Sequence, residues 1–212
     1  MYQATDKFLM RLKKKIRSEY NYISLASFDE LNAISVKDKT KKLFENLLKF
    51  NYREYLNVIK SAIRYAKYLL PKDLKDKKID ISEEDFLEYV LTSYNNITGY
   101  LYKKEAERKR LRLAEEILTA KEFLSTKRLG ESLRRSANLW FAQSSQYSID
   151  LEDKTCIEVF KKAGVKKVKW ITAKDHKTCS DCSGLSGKIF EIDKVPSKVH
   201  YNCRCYVVPY VI

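Results

Sequence analysis

The 212-residue chain is poor in the residues that punctuate or anchor other architectures. Five glycines and three prolines are too few for an all-β fold rich in turns, and too few for a disordered tail. No stretch stays apolar for the roughly eighteen residues that a membrane-spanning helix needs, so a soluble protein is expected. No apolar signal segment opens the sequence, where Met1 is followed by Tyr2, Gln3, Ala4, Thr5, Asp6 and Lys7; this argues against a secreted, disulfide-stapled module. Acidic charge is in deficit: 42 Lys and Arg face 28 Asp and Glu, a formal +14, which favours nucleic acid or an acidic protein surface as a neighbour. Aromatic residues are plentiful by contrast, with fifteen Tyr and nine Phe to furnish a core or an interface.

Cysteine is scarce but concentrated. Four of the five cysteines and one of the two histidines form Cys179-x-x-Cys182 and His200-x-x-Cys203-x-Cys205. A Cys-x-x-Cys turn sets two thiolates side by side, and a second Cys/His cluster can close the other half of a tetrahedral Zn²⁺ site. Five candidates compete for four places. Cys179 and Cys182 take two, while His200, Cys203 and Cys205 share the others, the fifth serving the surroundings of the ion or the core. In an extended strand Cys203 and Cys205 point to one face and Arg204 to the other. A coordination sphere filled by thiolates leaves no open position for water, so the zinc is expected to be structural. His176 beside Asp175 offers an acid/base pair near the metal, but adjacent residues in a loop rarely orient one another for catalysis.

Helical periodicity fills the first 150 residues. From Lys41 to Leu70, Phe44, Leu47, Leu48, Tyr55, Val58, Ile59, Ala62, Tyr65, Ala66 and Leu69 share one broad face, and Pro71 stops the helix. Ser82, followed by Glu83, Glu84 and Asp85, caps a second helix that carries Phe86, Val90, Tyr94, Ile97 and Leu101 inward and bends at Gly99. Two basic groups follow: Lys103, Lys104, Arg108, Lys109, Arg110 and Arg112, then Lys127, Arg128, Arg134 and Arg135. They are candidate contacts for a nucleic-acid backbone, although interleaved Glu105, Glu107, Glu115 and Glu116 suit an ordinary solvated helix face. Trp140 and Phe141 fit a core better than a stacking platform. Near residue 150 the texture changes. Asp153 is expected to cap a short helix through Cys156, a small buried hydrophobe, to Ala163, with Gly164 as its stop. Strands are expected at Lys167 to Thr172, at Lys188 to Ile192, and from Cys203 to Ile212 with a break near Pro209.

The ordered run of Val168-Lys169-Trp170-Ile171, Asp175-His176-Lys177-Thr178-Cys179-Ser180-Asp181-Cys182, Leu185-Ser186-Gly187-Lys188-Ile189-Phe190 and His200-Tyr201-Asn202-Cys203-Arg204-Cys205 is far more specific than a lone Cys-x-x-Cys. It resembles the C-terminal signature of the phage Mu F-like head-morphogenesis proteins, also called minor head or minor capsid proteins. The likeness is close over roughly the last 45 residues and looser from about residue 127; nothing specific in residues 1–126 shares it. The resemblance implies a tailed-phage virion protein, assembled in the bacterial cytoplasm and placed at the portal vertex or inside the head. Its implied partners are the portal or major capsid protein and packaged double-stranded DNA.

The expected fold is therefore α+β, with a helical body at 1–150 and a small zinc-binding module at 151–212, acting as a non-enzymatic minor head protein prone to self-association. Two other functions fit parts of the pattern. A zinc-ribbon nucleic-acid-binding regulator would suit the twelve Lys or Arg against seven Asp or Glu from residue 151 onward. A zinc-dependent nuclease would need an exchangeable metal position and a base such as His176.

Overall fold

The computed structural model describes residues 1–93, 99–172, 178–198, 200 and 202–210, with the backbone alone for 90–93 and 99–105. Helices α1 (Gln3–Ser24), α2 (Ala33–Leu69), α3 (Lys72–Lys75), α4 (Glu83–Ser93), α5 (Gly99–Glu122) and α6 (Thr126–Ala163) precede β1 (Lys167–Ile171), α7 (Ser180–Leu185), β2 (Ile189–Glu191) and β3 (Tyr206–Tyr210). The molecule is mostly helical with one small antiparallel sheet, as the patterning led one to expect. Among the described residues no helix is long and apolar enough to cross a membrane.

Local chemistry sets the helix ends. The stripe expected from Lys41 belongs to a helix that begins earlier, at Ala33, because the Asn32 side chain accepts the Ser35 N–H at 2.9 Å and relieves one orphan donor of the first turn. Ser82 caps α4 as expected, its Oγ accepting from the Asp85 N–H at 3.3 Å. Tyr94 and Ile97 lie outside the described residues, as do the side chains of Val90 and Leu101 and the stretch just before Gly99 on which the expected bend falls; α5 is described from that glycine onward.

The short helix expected to start at Asp153 does not exist as a separate element. Residues 126–163 form one helix, uninterrupted because neither Gly nor Pro falls between Gly130 and Gly164. Asp153 is an interior residue of α6, and its carboxylate is engaged by Tyr2 and Lys198 instead of by backbone amides. Gly164 is the stop. At φ +87° it takes the left-handed conformation that other residues avoid, and the Val165 N–H closes onto the Phe160 carbonyl at 3.0 Å.

The chain forms two compact units. The first takes residues 1–6, 55–86 and 145–212. Its core joins Ala62 and Ala66 of α2 and Leu70 just past its end with Cys156, Val159 and Phe160 of α6 and Val168, Trp170 and Val207 of the sheet. Strand β1 is central in the order β2-β1-β3, pairing Val168 with Phe190 on one side and with Pro209 on the other. Its burial alternates, Val168 and Trp170 inward and the lysines outward. Two strand expectations need correction. The third strand begins at Tyr206, after the cysteines, and Pro209 lies within it, because β3 is an edge strand on which a missing N–H breaks no ladder bond.

The second unit takes residues 7–54 and 87–144, and its described elements are helical. Phe8, Leu12, Leu43, Leu47, Leu113 and Ile117 are fully buried there. Trp140 is buried too, meeting the Phe44 ring edge-on at 5.2 Å between centroids and an angle of 81°.

Candidate metal centre

Two turns bring the cysteines together. Cys179 caps α7: its sulfur accepts the Cys182 N–H at 3.4 Å, so the Cys-x-x-Cys stretch coils into the first turn of a helix with both thiols on one side. Gly187, at φ +78°, turns the chain back; its N–H reaches the Trp170 carbonyl and the Trp170 N–H reaches Lys188, both at 2.9 Å, which leads β2 onto β1. The second turn is closed by the Cys203 N–H on the His200 carbonyl at 3.2 Å, with Asn202 at φ +58° and its N–H held by Gln146 Oε1 at 2.6 Å.

The result is two overlapping triads. Ligand atoms of Cys179, Cys182 and His200 lie within 4.8 Å of one another, and so do those of Cys182, Cys203 and Cys205. Cys182 belongs to both. Its sulfur is 3.5 Å from Cys203 Sγ and 3.6 Å from His200 Nε2. A tetrahedral ion with thiolate bonds of about 2.3 Å needs sulfur–sulfur edges of about 3.8 Å, so these side chains fit a metal without rearrangement of the fold. Cys182, Cys203 and Cys205 are buried, Cys179 is half-buried, and His200 faces solvent. Burial and the surrounding thiols push the Cys182 thiol well above its ordinary range, so a thiolate there calls for a cation to neutralise it. All five cysteines are free thiols, Cys156 in the core with its sulfur 3.8 Å from the Ala62 carbonyl. Asp175 and His176 lie outside the described residues.

Around the cysteines stands a polar lock that sequence reading missed. Glu152, almost wholly buried in mid-helix, accepts the Tyr2 N–H at 2.8 Å, the Thr5 N–H at 3.3 Å and the Thr5 hydroxyl at 2.8 Å. The Tyr2 amide lies just before α1 and the Thr5 amide in its first turn, so a carboxylate 150 residues away in sequence from Tyr2 does the work of a capping residue. The Tyr2 hydroxyl donates to Asp153 Oδ1 at 2.6 Å and lies 2.9 Å from the Cys205 carbonyl. Lys198 pairs with Asp153 at 2.7 Å and donates to that same carbonyl. Arg204, between the two cysteines, forms a bidentate pair with Asp6, both bonds 2.9 Å. Burial raises the Glu152 carboxyl against the pull of its three donors. It pushes Asp153 up to about 6, opposed chiefly by Lys198. The one signal in the sequence was Ser144, Ser148 and Glu152 at four-residue spacing: a small hydroxyl stripe ending on an acid, all three buried.

The basic candidates are scattered in their surroundings. Arg108, Arg112, Lys127, Arg128, Arg134 and Arg135 are exposed and Lys109 is half-buried. Arg110 is only 8 % exposed and holds Glu107 through two bonds of 2.8 and 2.5 Å, which keeps it from a surface that phosphates reach. Arg112 and Arg135 share Glu116, at 3.1 and 3.2 Å. Arg128 stacks over the exposed Phe123 ring, 4.4 Å from its centre. The side chains of Lys103 and Lys104 lie outside the described residues.

A family model described as Phage Mu protein F like protein matches residues 131–208. This part of the chain is similar to the Mu F-like proteins. The Mu F-like stretch contains every candidate ligand together with Glu152, Asp153, Lys198 and Arg204 of the polar lock. No curated protein and no solved structure matches the chain.

Proposed function

We propose that the protein is a minor head protein of a tailed phage, a structural component assembled in the host cytoplasm and carried in the virion at the portal vertex or head interior. The observation that carries this reading is the Mu F-like match over residues 131–208, whose turns gather five soft ligands into one cluster. The ion is zinc in this reading, since thiolate and imidazole donors at tetrahedral spacing suit it, and its part is structural: it ties α7 to the His200–Cys205 turn. No catalysis is assigned. The helices provide the surface that docks on portal or capsid, and exposed Lys127 and Arg128 contribute to sequence-independent contact with packaged DNA through charge neutralisation.

The test is to purify particles of the parent phage, identify their proteins by mass spectrometry and cross-link them. The chain is expected in the virion at low copy, cross-linked to portal. Its absence from particles and procapsids defeats the reading and favours a nucleic-acid-binding regulator.

A further inference from the structure

The helical unit contains a cavity of about 220 Å³ that the metal centre does not use. Its floor is apolar: Phe44, Leu113 and Trp140, with Leu139 at its lip 46 % exposed. Its rim is cationic, with Arg108, Lys109 and Arg112 on α5 and Arg135 on α6 against one acid among the described lining residues, Glu116. A shallower depression lined by Glu131, Arg134, Asn138 and Ala142 shares Arg135 and Leu139 with it and prolongs it along α6.

The dimensions select among occupants. Small-molecule and cofactor sites are enclosed volumes of about 300–1,000 Å³; the apolar pit, at about 220 Å³, is smaller and suits one large apolar side chain, and the depression of about 720 Å³ that continues it lies open to solvent instead of enclosing a ligand. A nucleobase would need an aromatic face to stack on, but Phe44 and Trp140 are buried against each other edge to face. A duplex backbone is convex and polar and has nothing to place on an apolar floor. Glu116 shows what the rim accepts: its carboxylate lies between Arg112 and Arg135, one oxygen to each.

We propose that this groove binds an acidic amphipathic helix of a partner protein, one apolar side chain seated on Phe44, Leu113 and Leu139 and flanking carboxylates held by Arg108, Arg112 and Arg135. The proposal deepens the docking role given above to the helices and names the chemistry that would dock there. Leu139 is the anchor contact, because it is exposed beside the cavity and belongs to both depressions.

The test uses the full chain and three fluorescein-labelled helical peptides of about fifteen residues. One is Glu-rich with a central Phe; one has Ala in place of Phe; one has Lys in place of Glu. Binding is read by anisotropy, with a duplex oligonucleotide as competitor. The acidic Phe peptide is expected to bind at least tenfold more tightly than either control. Leu139→Glu and the Arg112→Glu/Arg135→Glu pair are each expected to weaken it tenfold or more with helical circular dichroism unchanged, and Leu139→Ala supplies a milder variant should Leu139→Glu misfold. No binding, equal binding of the Phe and Ala peptides, indifference to both Leu139 substitutions, or duplex DNA displacing the peptide with the same sensitivity to Leu139 would each overturn it. Portal cross-linking in virions is a separate readout, so the groove can fail while the head-protein reading stands, and the reverse.

Discussion

In the helical unit of residues 7–54 and 87–144, buried positions such as Phe8, Leu12, Leu43, Leu47 and Ile117 are apolar, and the buried charges Glu54 and Arg110 each meet an exposed partner, Arg11 and Glu107. In the sheet-bearing unit of residues 1–6, 55–86 and 145–212, the interior also takes in Glu152, Ser148, Thr155 and a group of thiols. The difference lies in what secondary structure each has available. Long helices satisfy their own backbone and can bury a broad apolar stripe, whereas three strands of three to five residues cover little area. A helix can therefore tolerate the loss of one contact better than a short-stranded sheet can tolerate the loss of the group that gathers its loops.

Metal removal should break this comparison most sharply. Chelation, or Cys182→Ser, is expected to cost more than about 3 kcal/mol in the sheet-bearing unit, because metal binding in small sites is in effect folding energy. Hydrogen exchange should show protection lost over residues 165–210 and kept in α5. Simultaneous loss in both units would show a single cooperative molecule, and no loss would remove the metal from the account of stability.

A smaller effect separates buried from exposed carboxylates. Glu152→Ala strands two amides in the interior, the Thr5 hydroxyl keeping Ser148, and should cost about 2–4 kcal/mol in a denaturant titration, with Glu152→Gln recovering much of it. Glu107→Ala, at an exposed pair in the helical unit, should cost less than about 1 kcal/mol. Equal costs would erase the distinction.

The smallest expected effect is one of slope. The Asp153 carboxyl, pushed up to about 6 from an ordinary 3.8, holds more proton in the folded than in the unfolded chain across that window. Its contribution to stability is thus present below pH 4 and is lost as pH rises towards 6. Asp153→Asn removes that titration. The variant should gain about 2–3 kcal/mol relative to the parent between pH 4 and 6.5, on top of a constant cost from the lost Lys198 partner. Parallel stability curves for the two proteins would show that the carboxyl is not perturbed by burial.

The cysteine pattern was legible because its information is local. Two short turns, each set by residues within six positions of one another, place Cys179 beside Cys182 and His200 beside Cys203. The apolar stripe of α2, the Gly164 stop and the alternation of β1 were legible for the same reason. Less legible were the early start of α2, where a single Asn cap outweighs the fading stripe, and the continuity of α6, which runs through the change of texture near residue 150 because no breaker stands there.

What the sequence determined by itself, then, was helical content, the approximate sites of the strands and the grouping of the soft side chains, all of which follow from short-range periodicity and turn chemistry. Only the tertiary structure decided that Glu152 caps α1, that Tyr2 and Lys198 meet at the Cys205 carbonyl, and that Arg112 and Arg135 face one groove. Those groups lie far apart along the chain. A charged side chain carries no mark of which distant donor will satisfy it, since its partner is chosen by how the helices pack and which groups burial then denies to water.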